Sequence, residues 1–257
     1  MIDKTTLAQV SKSFDIDEFS VLREYLQVCF LEKFYQNPNS VNTFFKGGTA
    51  IKLLFGSRRF SEDLNFTTKL DEKSLKQVIT RVKTSLLPEF PNLTVKELDT
   101  FTGYSAKLYL PTEISSQDLT IKLDFSQREN VLEKMSSPLE TLLPTATTAV
   151  VEHLSAREIL SEKIRALTER TKGRDLFDLW YLLSKQIPLN ISFVKKKFAY
   201  YQEDFSVKSL VEKVEKWPEK EIDSDLRRFL PVSDRKIIPE LKRLVLEKLK
   251  GNFGKTQ

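Results

Sequence analysis

Residues 46–67, KGGTAIKLLFGSRRFSEDLNFT, place a Gly-Gly turn and a short helix directly ahead of an acidic strand. Gly47 and Gly48 allow backbone N–H groups to approach an anion closely, because no Cβ stands in the way. The helix beginning near Thr49 aims its positive N-terminal end at the same place, and a triphosphate suits such a cradle. Lys46 before the glycines, the Arg58-Arg59 pair after the helix and the Ser61 hydroxyl are candidate phosphate partners. Each also has a plain structural reading, as a surface-loop cation or a turn cap. In Asp63-Leu64-Asn65-Phe66 a strand period of two sends Asp63 and Asn65 to one face and Leu64 and Phe66 to the other. The first face is polar and ligand-like; the second belongs to a core.

Towards the N-terminus, residues 17–36 carry apolar side chains at helical spacing and stop before Asn37-Pro38-Asn39. A short strand at Thr43–Phe45 then leads into the Gly-Gly helix, which runs to Phe55, and the acidic strand runs on to Thr67. Beyond it a helix is expected over Glu72–Leu87, ending at Pro88, followed by strands at Leu93–Leu98, Gly103–Leu110 and Leu119–Phe125. In the last of these Ile121, Leu123 and Phe125 alternate with Thr120, Lys122 and Asp124, so Asp124 faces away from the core. From Ser155 onward the pattern is helix after helix, broken at Lys172-Gly173, Pro188, Trp217-Pro218 and Leu230-Pro231. The final stretch places Pro239 at a helix start and Leu241, Leu244 and Leu249 on one stripe, as bundle packing requires. The order predicts an α+β fold, a mixed sheet flanked by helices with a C-terminal helical bundle, divided into residues 1–187 and 188–257.

Composition narrows the chemistry. With 257 residues, 40% hydrophobic and 30% charged, the chain belongs to the globular class. Its apolar runs are too short and too charged to span a bilayer, and MIDKTTLAQVSKSFD lacks the apolar segment of a signal peptide, so the expected location is the cytoplasm, away from membranes. One cysteine, Cys29, and one histidine, His153, leave no internal disulfide and no Cys/His zinc site to assemble. A Ser–His or Cys–His nucleophile would rest on His153 alone, without a nucleophile-elbow glycine pattern. His153 is therefore expected to be structural and Cys29 a small buried hydrophobe. The net charge is +5; residues 190–257 hold 16 Lys+Arg against 11 Asp+Glu, so the whole excess lies there. That surplus is compatible with a polyanionic partner and too small to identify one.

The motif KGGTA…RRFSEDLNF, together with LSAREILSEKIRALTERTKGRDLFDLWYLL at 154–183, resembles the nucleotidyltransferase-fold toxins of the AbiEii type, found in bacterial toxin–antitoxin and abortive-infection systems. The second segment matches that family's Glu-x-x-x-x-Lys helix followed by Arg-Asp-x-x-Asp. The resemblance covers about residues 44–183 and departs at Asn65, where the family shows the second Asp of Asp-x-Asp.

What the resemblance implies is a transferase that uses Mg2+ or Mn2+ and an NTP. Asp63, Asn65 and Asp124 would hold metal, while Lys46, Gly47, Gly48, Thr49, Arg59, Ser61 and Lys163 would hold nucleotide. Asp63, Lys163 and Asp175 would carry the chemistry, with Arg174 and Asp178 as additional candidates. Taken without the resemblance, Lys163 with Asp175 or Asp178 reads equally as an ion pair between helices, and Asp175 as the complement of a helix N-terminus. The acceptor implied is a tRNA end or other RNA, with an antitoxin protein as partner. Two alternatives accompany the enzyme: a module that has lost turnover because Asn65 brings no charge and binds nucleotide, RNA or antitoxin, and a variant of the same fold that phosphorylates protein.

Overall fold

Leu64, Phe66 and Phe125 do what their alternation predicts: they turn one face of a sheet into a hydrophobic wall. In the computed structural model, which describes residues 1–100 and 103–253, Phe66 and Phe125 stack with ring centroids 4.6 Å apart, and Phe45 and Phe34 close on Phe66 at 5.4 and 5.3 Å. Phe34 comes from a helix laid across the strands, so this aromatic cluster is the seam between helix and sheet.

The chain divides into two compact units, Met1–Leu154 and Ser155–Gln257. The first holds α1 (Lys4–Phe14), α2 (Glu18–Tyr35), β1 (Thr43–Lys46), α3 (Gly47–Phe55), β2 (Leu64–Thr68), α4 (Glu72–Leu86), β3 (Thr94–Leu98), β4 (Tyr104–Leu110), β5 (Leu119–Ser126), β6 (Lys134–Pro138) and β7 (Val150–Leu154). The seven strands form one mixed sheet in the order β3-β4-β5-β2-β1-β7-β6, with β2–β5 and β1–β7 parallel and the other pairs antiparallel. The expected α+β class and mixed sheet are thus present. α1, β6 and β7 are additions: α1 buries only Leu7, and β6, KMSSP, has neither alternation nor β-branched residues to announce it.

α2 lies against α4 and β5 and is buried on nearly every side, so polar residues on it need partners inside the protein. Glu32 accepts hydrogen bonds from the backbone N–H groups of Thr148 and Ala149 and so ties down the stretch before β7.

The second unit is helical: α5 (Ala156–Glu169), α6 (Gly173–Ser184), α7 (Ile191–Ala199), α8 (Val207–Lys216), α9 (Glu219–Leu226) and α10 (Ile238–Phe253). Ser155, Asn190 and Ser206 cap α5, α7 and α8 with their side chains, which is why those helices start where they do. α5 packs on α6, α7 and α8, while α6 packs on α9 and α10. The division therefore falls after Leu154 rather than at the expected 187/188, since cutting at 188 would part α5 from α7 and α8. Among the described residues no helix is long and apolar enough to cross a membrane.

Candidate active site

β1 ends at Lys46 and α3 begins at once, with Gly47 at φ +82°, a left-handed conformation that favours glycine. No side chain caps this helix start. At Gly48 the constraint is space: a Cβ there would lie 2.2 Å from a terminal guanidinium nitrogen of Arg59 and 3.0 Å from Oγ of Ser61. A Cβ on Gly47 would lie 3.1 Å from Nδ2 of Asn65. Thr49, fully buried, donates its hydroxyl proton to the carbonyl of Asp63 at 2.6 Å. Arg59 is itself buried, with one guanidinium nitrogen donating to the carbonyl of Phe60 at 2.7 Å and its backbone N–H to Oγ of Ser57 at 3.3 Å. The start of α3 and the approach to β2 are therefore packed against each other. Arg58 is exposed.

The sheet extends the same polar surface sideways. Lys46 stands opposite Asn65, Asn65 opposite Asp124, and Asp124 opposite Ser105, so one register row crosses β1, β2, β5 and β4. Oγ of Ser105 donates to Oδ1 of Asp124 at 2.6 Å, and Nζ of Lys122 lies 3.7 Å from the same oxygen. Asp63 lies just outside β2, one residue before Leu64, and meets α3 through its backbone carbonyl, which accepts the Thr49 hydroxyl. Contacts and register thus link Lys46, Gly47, Gly48, Thr49, Arg59, Ser61, Asp63, Asn65 and Asp124. Ser105 escaped the sequence reading because a serine in YSAKLYL carries no signal of its own.

The donors among these residues are oxygens, two carboxylates and one amide, which suits a hard divalent cation that keeps waters and phosphate oxygens in its shell. Among the described residues no group of three or more His, Cys, Asp and Glu gathers as a self-sufficient metal site.

In the second unit Lys163 of α5 reaches two carboxylates of α6, Oδ1 of Asp175 and Oδ2 of Asp178, each at 2.7 Å. Three residues apart, those aspartates share a helix face. Arg170 donates from Nε to Oδ2 of Asp175 at 2.8 Å. Burial alone would raise the Asp175 pKa, but the charges of Lys163 and Arg170 outweigh it and hold the group well below the usual carboxylate range. Arg174 points elsewhere: its backbone N–H donates to Oδ2 of Asp225 at 3.1 Å, and its guanidinium lies 4.6 Å from the Phe229 ring centroid. A second buried network, Lys197 with Glu158 at 2.7 Å and Glu162 at 2.9 Å, joins α7 to α5. In sequence Lys197 is one of three consecutive lysines and looks like a solvated one, yet it is fully buried.

An open groove of about 540 Å³ in the first unit, lined by residues such as Lys33, Gln36, Arg81 and Ser85, shares no residue with these clusters.

Residues 29–244 match the family described as Nucleotidyl transferase AbiEii toxin, Type IV TA system. The chain belongs to this family. Solved structures share the fold with this AbiEii-family chain. MenT4, a nucleotidyltransferase toxin of Mycobacterium tuberculosis, superposes with a TM-score of 0.65 at 16% identity, covering 97% of this chain and 89% of that one. JHP933 of Helicobacter pylori gives 0.53 at 21% identity, over 94% and 97%. A further H. pylori chain gives 0.56 at 20%, over 92% and 98%. No curated protein sequence matches.

Proposed function

We propose that this member of the AbiEii nucleotidyltransferase toxin family transfers a nucleotide from a metal-bound NTP to an acceptor, namely the end of a tRNA. The observation that carries the reading is the Gly-Gly start of α3 packed on Arg59 and Ser61 beside the Lys46–Asn65–Asp124 row. Uncapped backbone N–H groups and a buried guanidinium supply positive potential where a triphosphate would sit, and the acidic row supplies the ligands for its cation. A bound Mg2+ or Mn2+ supplies charge neutralisation and activation of the attacking hydroxyl.

The protein's own residues do the positioning. Asp63 and Asp124 would hold the cation with the Asn65 carbonyl oxygen, and Gly47, Gly48 and Thr49 would orient the phosphates. Arg59, Ser61 and Lys46 would offset the charge on the non-bridging oxygens. For Lys163 the proposed role is phosphate contact, with its ammonium oriented by Asp175 and Asp178; for Asp175 it is positioning of the acceptor. Arg174, engaged with Asp225, is left with a structural role.

Asn65 is the observation that favours a second reading, a nucleotide- or RNA-binding module that has lost turnover, because one carboxylate fewer weakens the hold on a second cation. Incubation of the purified protein and Mg2+ with each labelled NTP and total tRNA separates the two. Label on RNA supports transfer, label on protein indicates phosphorylation or self-modification, and binding without label indicates the module. The cytoplasm, where NTP, tRNA and an antitoxin partner would be met, is the proposed location.

A further inference from the structure

Gln27 is a full amide buried to 1% exposure in the middle of α2, a helix whose other central residues are mostly apolar. Burying an amide is costly unless it makes a hydrogen bond, so its partner identifies what it is for. Nε2 of Gln27 donates to the backbone carbonyl of Ser61 at 3.0 Å. One helical turn earlier, Glu24 pairs with Lys52 of α3 at 3.3 Å, and Lys52 in turn lies 3.8 Å from the Phe60 ring centroid. A single turn of α2 thus holds both partners of the candidate nucleotide cradle: the helix that follows the Gly-Gly turn, and the segment that delivers Arg59, Ser61 and Asp63.

We infer that Gln27 is a positioning residue for nucleotide binding, fixing the Ser61–Glu62 peptide so that Ser61 faces Gly48 and Asp63 enters β2 in register. This rests on the nucleotidyl-transfer reading of the same site. The peptide plane is the lever. With the Ser61 carbonyl turned toward α2, the Ser61 side chain stays within 3.0 Å of where a Cβ on Gly48 would stand, and the next carbonyl but one, that of Asp63, accepts the Thr49 hydroxyl. Gln27 and Thr49 therefore pin the segment at two points, and nothing in Gln27 itself needs to touch nucleotide. An apolar residue of equal length would pack in α2 just as well, so packing alone does not require the amide.

The test uses two variants and a pH series, with each of the four ribonucleoside triphosphates plus Mg2+ as probes. Gln27→Met keeps the volume and removes the donor; affinity for the NTP that wild type binds should fall by about tenfold or more, the scale on which loss of a supporting hydrogen bond weakens a site. Gln27→Glu adds a signature that a merely structural role lacks. A protonated carboxyl donates to the Ser61 carbonyl and an ionised one repels it, so affinity relative to wild type should be near normal at about pH 6 and fall toward about pH 9 as the buried acid ionises. Should the methionine variant fail to fold, that profile decides alone. Wild-type affinity in Gln27→Met, or a flat Gln27→Glu profile relative to wild type, overturns the inference and leaves the nucleotidyl-transfer reading standing. A wild-type protein that binds none of the four NTPs overturns both.

Discussion

The ammonium of Lys163 sits 2.7 Å from Oδ1 of Asp175, with both side chains almost fully withdrawn from solvent. Such a pair is weak evidence for stability as a whole, but breaking it is costly because it strands a buried charge. Lys163→Met leaves Asp175 with Arg170 and deprives Asp178 of its 2.7 Å ammonium contact, so the variant should lose about 3–5 kcal/mol. Adding Asp178→Asn should restore part of that loss. Urea denaturation of the single and double variants checks both statements; a single variant within 1 kcal/mol of wild type, inside the range of exposed pairs, contradicts the burial argument.

Gly48→Ala should be disproportionately harmful for one methyl group. Its Cβ would enter the space of the Arg59 guanidinium, which is anchored to the Phe60 carbonyl and buried, so accommodation means expelling that cation from the cradle. The expected cost is about 1–3 kcal/mol of stability, with NTP binding lost in the variant that still folds cooperatively. Isothermal titration with NTP and Mg2+ reads the binding directly, and wild-type affinity would sink the cradle assignment.

How much of this was legible in the sequence depended on whether a residue's partners lay nearby in the chain. The Gly-Gly pair and the alternation in 63–66 and 119–125 are local patterns; they announce α3 and the polar face of β2 and β5, although the helix begins at Gly47 itself rather than near Thr49. The plain reading of Lys163 with Asp175 or Asp178 as an ion pair between helices was legible too, because the helices that carry them adjoin in sequence. Register is different: that Lys46, Asn65 and Asp124 fall in one row follows from β2 pairing with β1 on one side and with the distant β5 on the other, which no local spacing encodes. The strand β7, VVEHL, is too short to distinguish itself until β1 and β6 flank it. Lys197, Gln27 and Arg170 were missed because each is a polar residue whose meaning lies in a buried partner on another element or past a turn.

His153 should give the protein an acid-side weakness. Burial lowers its pKa from 6.5, with its ring donating from Nδ1 to the Leu154 carbonyl at 2.8 Å and accepting at Nε2 from Ser137 at 2.9 Å. Because the folded pKa is below the unfolded one, the unfolded chain binds more protons just under pH 6.5, so stability rises with pH through that window and is lost as pH falls below it. Asp175 acts lower still, its contribution being present above 3.8 and lost as pH falls through its depressed folded value. Urea midpoints for wild type and His153→Gln from about pH 7.5 to about pH 5.5 isolate the imidazole, the only side chain that ordinarily titrates there. The wild type should fall further than the variant; parallel curves would remove His153 as the cause.

Cys29 should be inert in the native state. Burial and the nearby Glu89 carboxylate push its thiol up to about 12, so almost no thiolate exists at neutral pH. A disulfide-exchange reagent should titrate one thiol per chain in denaturant and react negligibly without it. Rapid native labelling would contradict the assignment of Cys29 to the core.

The proposed part of Asp63 and Asn65 in transfer is read by the rate at which label from an α-labelled NTP enters tRNA, compared among wild type, Asp63→Ala and Asn65→Asp. Asp63→Ala should lose about 100-fold or more, the scale expected when a group stabilising the transition state is removed. Asn65→Asp should transfer equally fast or faster, because it restores a charge the cation can use. Transfer in Asp63→Ala at the wild-type rate would remove Asp63 from the chemistry and with it the proposed metal site.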